Sequence, residues 1–207
     1  MRAASFEKVA ADPTATLQDF HLDDLAQFKR ELTFAPGDST DYRTFYVGRD
    51  DVHGVLKYLL ARCSRVLKLN MFGFDDDELN AIIEHAILNS HIYAQITLDK
   101  SQAGGIHERK ILAAWSPEMR ASCAIGTSAT HQISHTKGGV LDGVVAFEGS
   151  TNWSSSGEGT IPTDGTARKA QNNTLLVHVN PTELTGFATE LDEEHAVVLA
   201  QQPTGAL

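Results

Sequence analysis

One short stretch of the chain concentrates groups suited to chemistry on an anionic phosphoryl centre. It reads His135-Thr136-Lys137-Gly138-Gly139-Val140-Leu141-Asp142-Gly143 and is followed by Gly149-Ser150-Thr151-Asn152-Trp153. On a strand, alternate residues share a face, so His135 and Lys137 are expected to point the same way. An imidazole can attack phosphorus or shuttle a proton, while an ammonium fixed beside it offsets charge on the non-bridging oxygens. Ser150 and Asn152, two apart on a neighbouring segment, would add neutral donors to the same oxygens. The glycines around them let the backbone approach closely.

Such a constellation needs rigid elements to hold it, and the hydrophobic pattern provides them. Strands are expected at residues 45–47, 66–72, 92–98, 121–125, 135–141, 144–147 and 175–179, with Asp142-Gly143 as the two-residue turn of a hairpin. Helices are expected over residues 21–32, ending before Pro36-Gly37, and after Asp50-Asp51, where Val55, Leu56, Leu59 and Leu60 form one face. Asp75-Asp76-Asp77 opens another, carrying Leu79, Ile82, Ile83, Ala86 and Ile87; the acidic triplet suits a helix N-terminus better than a metal. A short helix covers residues 109–115 and stops at Ser116-Pro117, and a closing helix follows Asn180-Pro181 over residues 184–199. Residues 154–170 form a long polar loop. Strands alternating with helices, then a β-rich segment, give an α/β sandwich with a mixed sheet. The chain divides into an N-terminal arm with a helix (residues 1–44), the main domain (45–200) and a tail (201–207).

Composition narrows the function classes. The 207 residues are 42% hydrophobic and 21% charged, which excludes wholesale disorder and leaves enough chain for one real core. No apolar run is long enough to span a bilayer, so no stable membrane anchor is expected, and the first residues carry no secretory pattern. A cytoplasmic location follows, and Cys63 and Cys123 read as free, buried thiols. Twenty-seven acidic against seventeen basic side chains, a net charge of −10, argue against coating nucleic acid by bulk electrostatics. They leave room for a local basic cleft.

The spacing H-x-K-x(4)-D followed by G-S-x-N resembles the signature of the phospholipase D superfamily, met here at His135, Lys137 and Asp142, then Gly149, Ser150 and Asn152. The three-residue pattern alone arises by chance on the order of a few per cent of the time in such a chain, and the second motif in step raises its specificity. The resemblance extends more weakly over residues 45–200 and implies a phospholipase D-like α-β-α sandwich. In that family two signature histidines meet across a pseudo-twofold axis. One forms a phosphohistidine, the other protonates the leaving oxygen and then activates water, and neither a metal nor a cofactor takes part. This chain has one HKD signature, so the resemblance implies a homodimer with His135, Lys137 and Asn152 from each subunit. It implies a nucleic-acid substrate, because small single-signature members look like nucleases more often than lipases. Phosphate would rest on Lys137, Ser150 and Asn152. Asp142 belongs to the catalytic signature but is expected to position the hairpin rather than move a proton. A phospholipase or phosphatidyl-type transferase, and an inactive binding module, are the alternatives.

One position departs from the pattern. Small nucleases of this kind often carry a carboxylate just before the asparagine of a later strand, where it orients the histidine; here that stretch is Gln171-Asn172-Asn173, so Asn172 takes the place. An amide can hold an imidazole but stabilises its charged form less well. Glu148 and Glu158 are candidate substitutes. Trp153 either stacks on a base or packs, and Arg168 and Lys169 either rim the cleft or stay solvated. His131 is read as loop. The remaining histidines lack metal-ligand spacing such as HExxH, so no metal site is expected.

Overall fold

The computed structural model describes residues 15–103, 105–130, 133–160 and 170–202. Seven strands form one mixed sheet: β1 (Tyr42–Tyr46), β2 (Val66–Met71), β3 (Tyr93–Asp99), β4 (Cys123–Gly126), β5 (Lys137–Leu141), β6 (Val145–Gly149) and β7 (Thr174–His178). Their spatial order is β1-β7-β6-β5-β2-β3-β4. β2, β3 and β4 run parallel, as strand–helix–strand units require, and every other pairing is antiparallel. The α/β class and mixed sheet expected from the sequence are present.

The helices are α1 (Val52–Leu60), α2 (Asp77–Ser90), α3 (Ile106–Ala114), α4 (Pro117–Ala121), α5 (Ser155–Glu158) and α6 (Pro181–Leu199). Local chemistry sets their starts. Asp51 accepts from Gly54 N–H, Asp76 from Leu79 N–H, and Asn180 from Thr182 and Glu183 N–H ahead of Pro181. The main core lies on one side of the sheet, where Leu56 and Leu59 of α1 and Leu79 and Ile83 of α2 pack with Leu67, Leu69 and Phe147. On the other side α6 sets Leu184 and Leu191 against Val140 and Ala146. Gly138 makes that layer possible, since a Cβ there would stand 2.7 Å from both Phe147 O and Phe187 Cζ.

The expected helix over residues 21–32 is instead 3₁₀, over Leu17–Asp19 and Leu22–Phe28. Leu17, Leu22, Leu25 and Phe28 are buried in the main core, but Leu32 is 61% exposed with φ +56°. The helix is stopped by Asp50, whose carboxylate takes Lys29 Nζ at 2.9 Å and Arg30 N–H at 3.2 Å and draws the chain into extended conformation. The sheet also begins earlier than the pattern implied, at Tyr42.

Candidate active site

The strand register brings one set of chain segments to one edge of the sheet. Met71 at the end of β2 faces Lys137 at the start of β5, and Gly149 at the end of β6 faces Leu175 at the start of β7. The segment leaving β2, Phe72-Gly73-Phe74, threads between the two signature motifs. Phe72 N–H donates to Thr136 O at 3.0 Å, Trp153 N–H to Gly73 O at 3.0 Å, and Asp75 N–H to Trp153 O at 2.7 Å. A Cβ on Gly73 would lie 3.2 Å from the Asn152 side chain. His135, Lys137 and Asn152 therefore converge on two consecutive residues.

Phe72 organises the first two. Its ring meets the His135 ring edge-on, with centroids 4.6 Å apart, and lies 4.9 Å from Lys137 Nζ. His135 sits two residues before the strand rather than on it, and it is exposed, whereas Lys137 is buried. Strand alternation is thus not what aligns them; the shared aromatic is. Both neighbours of His135 are pinned. Ser134 donates through N–H to the fully buried Asp99 carboxylate at 2.6 Å and through Oγ to Asn70 at 3.1 Å, and the Thr136 carbonyl accepts from Phe72. The imidazole itself makes no hydrogen bond with a described residue.

Lys137 has an unusual environment for a cation. It is 5% exposed, its Nζ donates to the His135 carbonyl at 2.7 Å, and it forms no ion pair among the described residues. Burial holds its pKa below the usual lysine value. Asn152 adds a second unsatisfied group: its Oδ1 is buried without a hydrogen-bond partner among the described residues. Ser150 is exposed, and its Oγ accepts from Thr174 N–H at 3.0 Å while its own N–H donates to Thr174 O, leaving the hydroxyl proton free to donate outward. Gly149 permits this clasp at φ +152°, where a Cβ would collide with Thr174 O at 2.2 Å.

Other expected residues lie elsewhere. Asp142 stands at the far end of β5, roughly 15 Å from Lys137 at about 3.3 Å per residue. Its carboxylate accepts from Ser64 N–H and Oγ, Arg65 N–H and Val66 N–H. Burial pushes its pKa up, but these donors outweigh that and hold it below the ordinary value. Asp142 and Gly143, both at positive φ, form the turn closed by Val144 N–H on Leu141 O. Asp142 thus pins the hairpin turn to the segment that leads into β2, at the end of β5 opposite Lys137. Trp153 is 1% exposed, between Phe74 and Phe147, and packs the core instead of facing a base. Asn172 is exposed, and no contact among the described residues joins it to His135. Glu148 lies 3.9 Å from His178, and Glu158 pairs with His53, so neither serves His135. His131, Arg168 and Lys169 lie outside the described residues.

Phe72, Asp99 and the buried histidine His53 belong to no pattern in the signature motifs. Phe72 carried one usable signal, an aromatic at the exit of a strand followed by glycine. The other two depend on contacts between segments far apart in the chain.

No protein-family model and no curated protein matches the sequence. Solved structures do resemble it. Nuc from Salmonella typhimurium, a phospholipase D family member, superposes with a TM-score of 0.56 over 74% of this chain and 92% of that one, at 13% identity. NucT from Helicobacter pylori gives 0.58 over 75% and 96%, at 14% identity. Phosphatidylserine synthase from Haemophilus influenzae gives 0.52 over 79% of this chain and 43% of that one, at 10% identity. Sequence identity this low speaks to architecture alone, and on that level the chain has the fold of the phospholipase D superfamily, in a form resembling Nuc.

Proposed function

We propose that this protein is a metal-independent phosphodiesterase of the phospholipase D type, working as a homodimer on nucleic acid. The observation that carries the reading is a pinned imidazole with no hydrogen bond, beside a buried ammonium with no counter-ion, among the described residues, on a fold of this superfamily. A lysine in that setting is stabilised by an arriving anion, and a phosphodiester brings one.

His135 of one subunit attacks phosphorus, and the bond to the leaving oxygen breaks as that oxygen takes a proton from His135 of the second copy. The second imidazole then removes a proton from water, which attacks phosphorus and breaks the phosphorus–nitrogen bond. Lys137 and Asn152 from both copies hold the non-bridging oxygens, with the Ser150 hydroxyl as a further donor. Phe72 and the Ser134–Asp99 anchor do the orienting that Asn172 does not. Nucleic acid is favoured over lipid because a single signature in a short chain is the form that the resemblance links with nucleases.

The test is cleavage of labelled single- and double-stranded DNA in EDTA by wild type and His135→Ala, with choline release from phosphatidylcholine measured in parallel. Wild-type cleavage in EDTA, abolished by the substitution, is expected, with sedimentation reporting a dimer. Cleavage that survives His135→Ala refutes the mechanism, and choline release without DNA cleavage moves the substrate to lipid. A strictly monomeric protein would lack half of the active site.

A further inference from the structure

Beyond the same edge of the sheet, a second cluster gathers from three separate segments. His53 lies in the first turn of α1, Asp76 caps α2, and Glu158 ends α5. One ligating atom from each lies within 4.8 Å of the others. His53 Nδ1 faces Glu158 and stands 3.7 Å from Asp76 Oδ2. Its other nitrogen, Nε2, is 2.9 Å from Glu78 Oε2, and Glu78 in turn pairs with Lys57.

Three features distinguish this cluster from a set of surface acids. Metal-bound histidines characteristically give their second N–H to a carboxylate, which fixes the tautomer and turns the free lone pair to the ion; Glu78 serves His53 in that way. The Glu158 side chain is fully buried, and its Oε1 has no hydrogen-bond partner among the described residues. A buried carboxylate oxygen without a donor is costly unless a cation serves it. Charge is also unbalanced. Asp76, Glu78 and Glu158, with Asp75 also acting on Glu158, outnumber the one imidazole and the Lys57 ammonium that face them.

We infer that His53, Asp76 and Glu158 form a binding site for one divalent transition-metal ion of the zinc type. One nitrogen and two carboxylate oxygens suit zinc, while the imidazole disfavours magnesium and calcium, which take oxygen ligands. As the metal–nitrogen bond forms, the Nδ1 proton passes to solvent. The ion braces the segment that leaves β2 through Gly73 against the segment that carries Asn152, because Asp76 and Glu158 belong to those two segments. It takes no part in the phosphodiester step, and the site stands or falls independently of that reading.

The experiment strips the full chain with chelator and titrates Zn2+ by calorimetry in two buffers of different ionisation heat, with the absorption spectrum of Co2+ as a coordination readout. One ion per chain should bind with micromolar or tighter affinity, releasing about one proton as a single Nδ1 deprotonates. Glu158→Gln should weaken binding at least tenfold, and His135→Ala, which touches none of the ligands, should not. Should Glu158→Gln fail to fold, Asp76→Asn at the more accessible ligand gives the same comparison. Millimolar binding, or binding that neither ligand substitution weakens, would overturn the site and leave His53 a plain imidazolium. Because no substrate enters the measurement, its failure leaves the phosphodiesterase reading intact.

Discussion

Two histidines at one edge of the sheet are treated in opposite ways. His53 is buried with both ring nitrogens against carboxylates, Glu158 on one side and Glu78 on the other. His135 is exposed, with both neighbours fixed and its ring touching only the Phe72 face among the described contacts. The first arrangement uses up the imidazole's hydrogen-bonding capacity to hold α1, α2 and α5 together. The second fixes the backbone and leaves both nitrogens without a hydrogen bond among the described residues, as the proposed nucleophile requires. Burial alone would select His53, whereas the proposed reaction needs the exposed His135.

The sharpest way to break this comparison is to delete each imidazole in turn. His135→Ala should lower single-turnover cleavage by ~10³-fold or more, because nucleophile and acid are lost together in a symmetric dimer. Its melting temperature should hold within a degree or two, since an exposed, unbonded ring contributes little to the fold. A large loss of stability without loss of activity would reverse the assignment of the two histidines.

Lys137→Met comes next. It keeps the buried stem and removes the charge, so phosphate binding suffers and cleavage should fall by ~10²–10³-fold. Stability should be unchanged or rise, because a buried ammonium with one carbonyl partner is poorly compensated. A less stable Lys137→Met protein would mean that the lysine is held for structure. Glu158→Ala should do the converse. It strands His53 beside Asp76 and Glu78, and breaking a buried pair costs about 3 kcal/mol. In a chain of this size that lowers Tm by roughly 6–12 °C, readable by calorimetry.

Much of the scaffold was legible because its determinants are local. Asp51, Asp76 and Asn180-Pro181 announce their helices within one turn, and strand alternation fixes the hydrophobic layers. The spacing singled out the signature residues, and the Asp142-Gly143 pair carried its own signal for the hairpin turn. What stayed hidden is non-local. The carboxylate of Asp50 rewrites residues 29–32 from a separate segment. Phe72 reaches His135 only because β2 and β5 are neighbours, and Asp99 reaches Ser134 across 35 positions of the chain. His53, Asp76 and Glu158 have no motif spacing at all, so a search for ligand patterns passes over them.

The smallest expected effect is also the most specific to His53. Burial lowers its pKa, but Glu158, Asp76 and Glu78 outweigh that and raise it to about 9. Glu158, driven up by burial and held down by His53, titrates at about 7. Both values exceed those of the unfolded chain, so the folded state holds more protons and stability must fall as pH rises. For His53 the contribution is complete below about 6.5 and disappears as pH passes through about 9. The metal-free protein should therefore lose several degrees of Tm between pH 6.5 and pH 9. Glu158→Gln removes the carboxylate that does most to hold the proton on Nδ1, leaving Asp76 at 3.7 Å and the Glu78–Lys57 pair on the other side. The pH dependence should flatten in that variant and persist unchanged in His135→Ala. An equal slope in all three proteins would mean that His53 is not the group whose proton the fold retains, and the contrast between the two histidines would lose its electrostatic half.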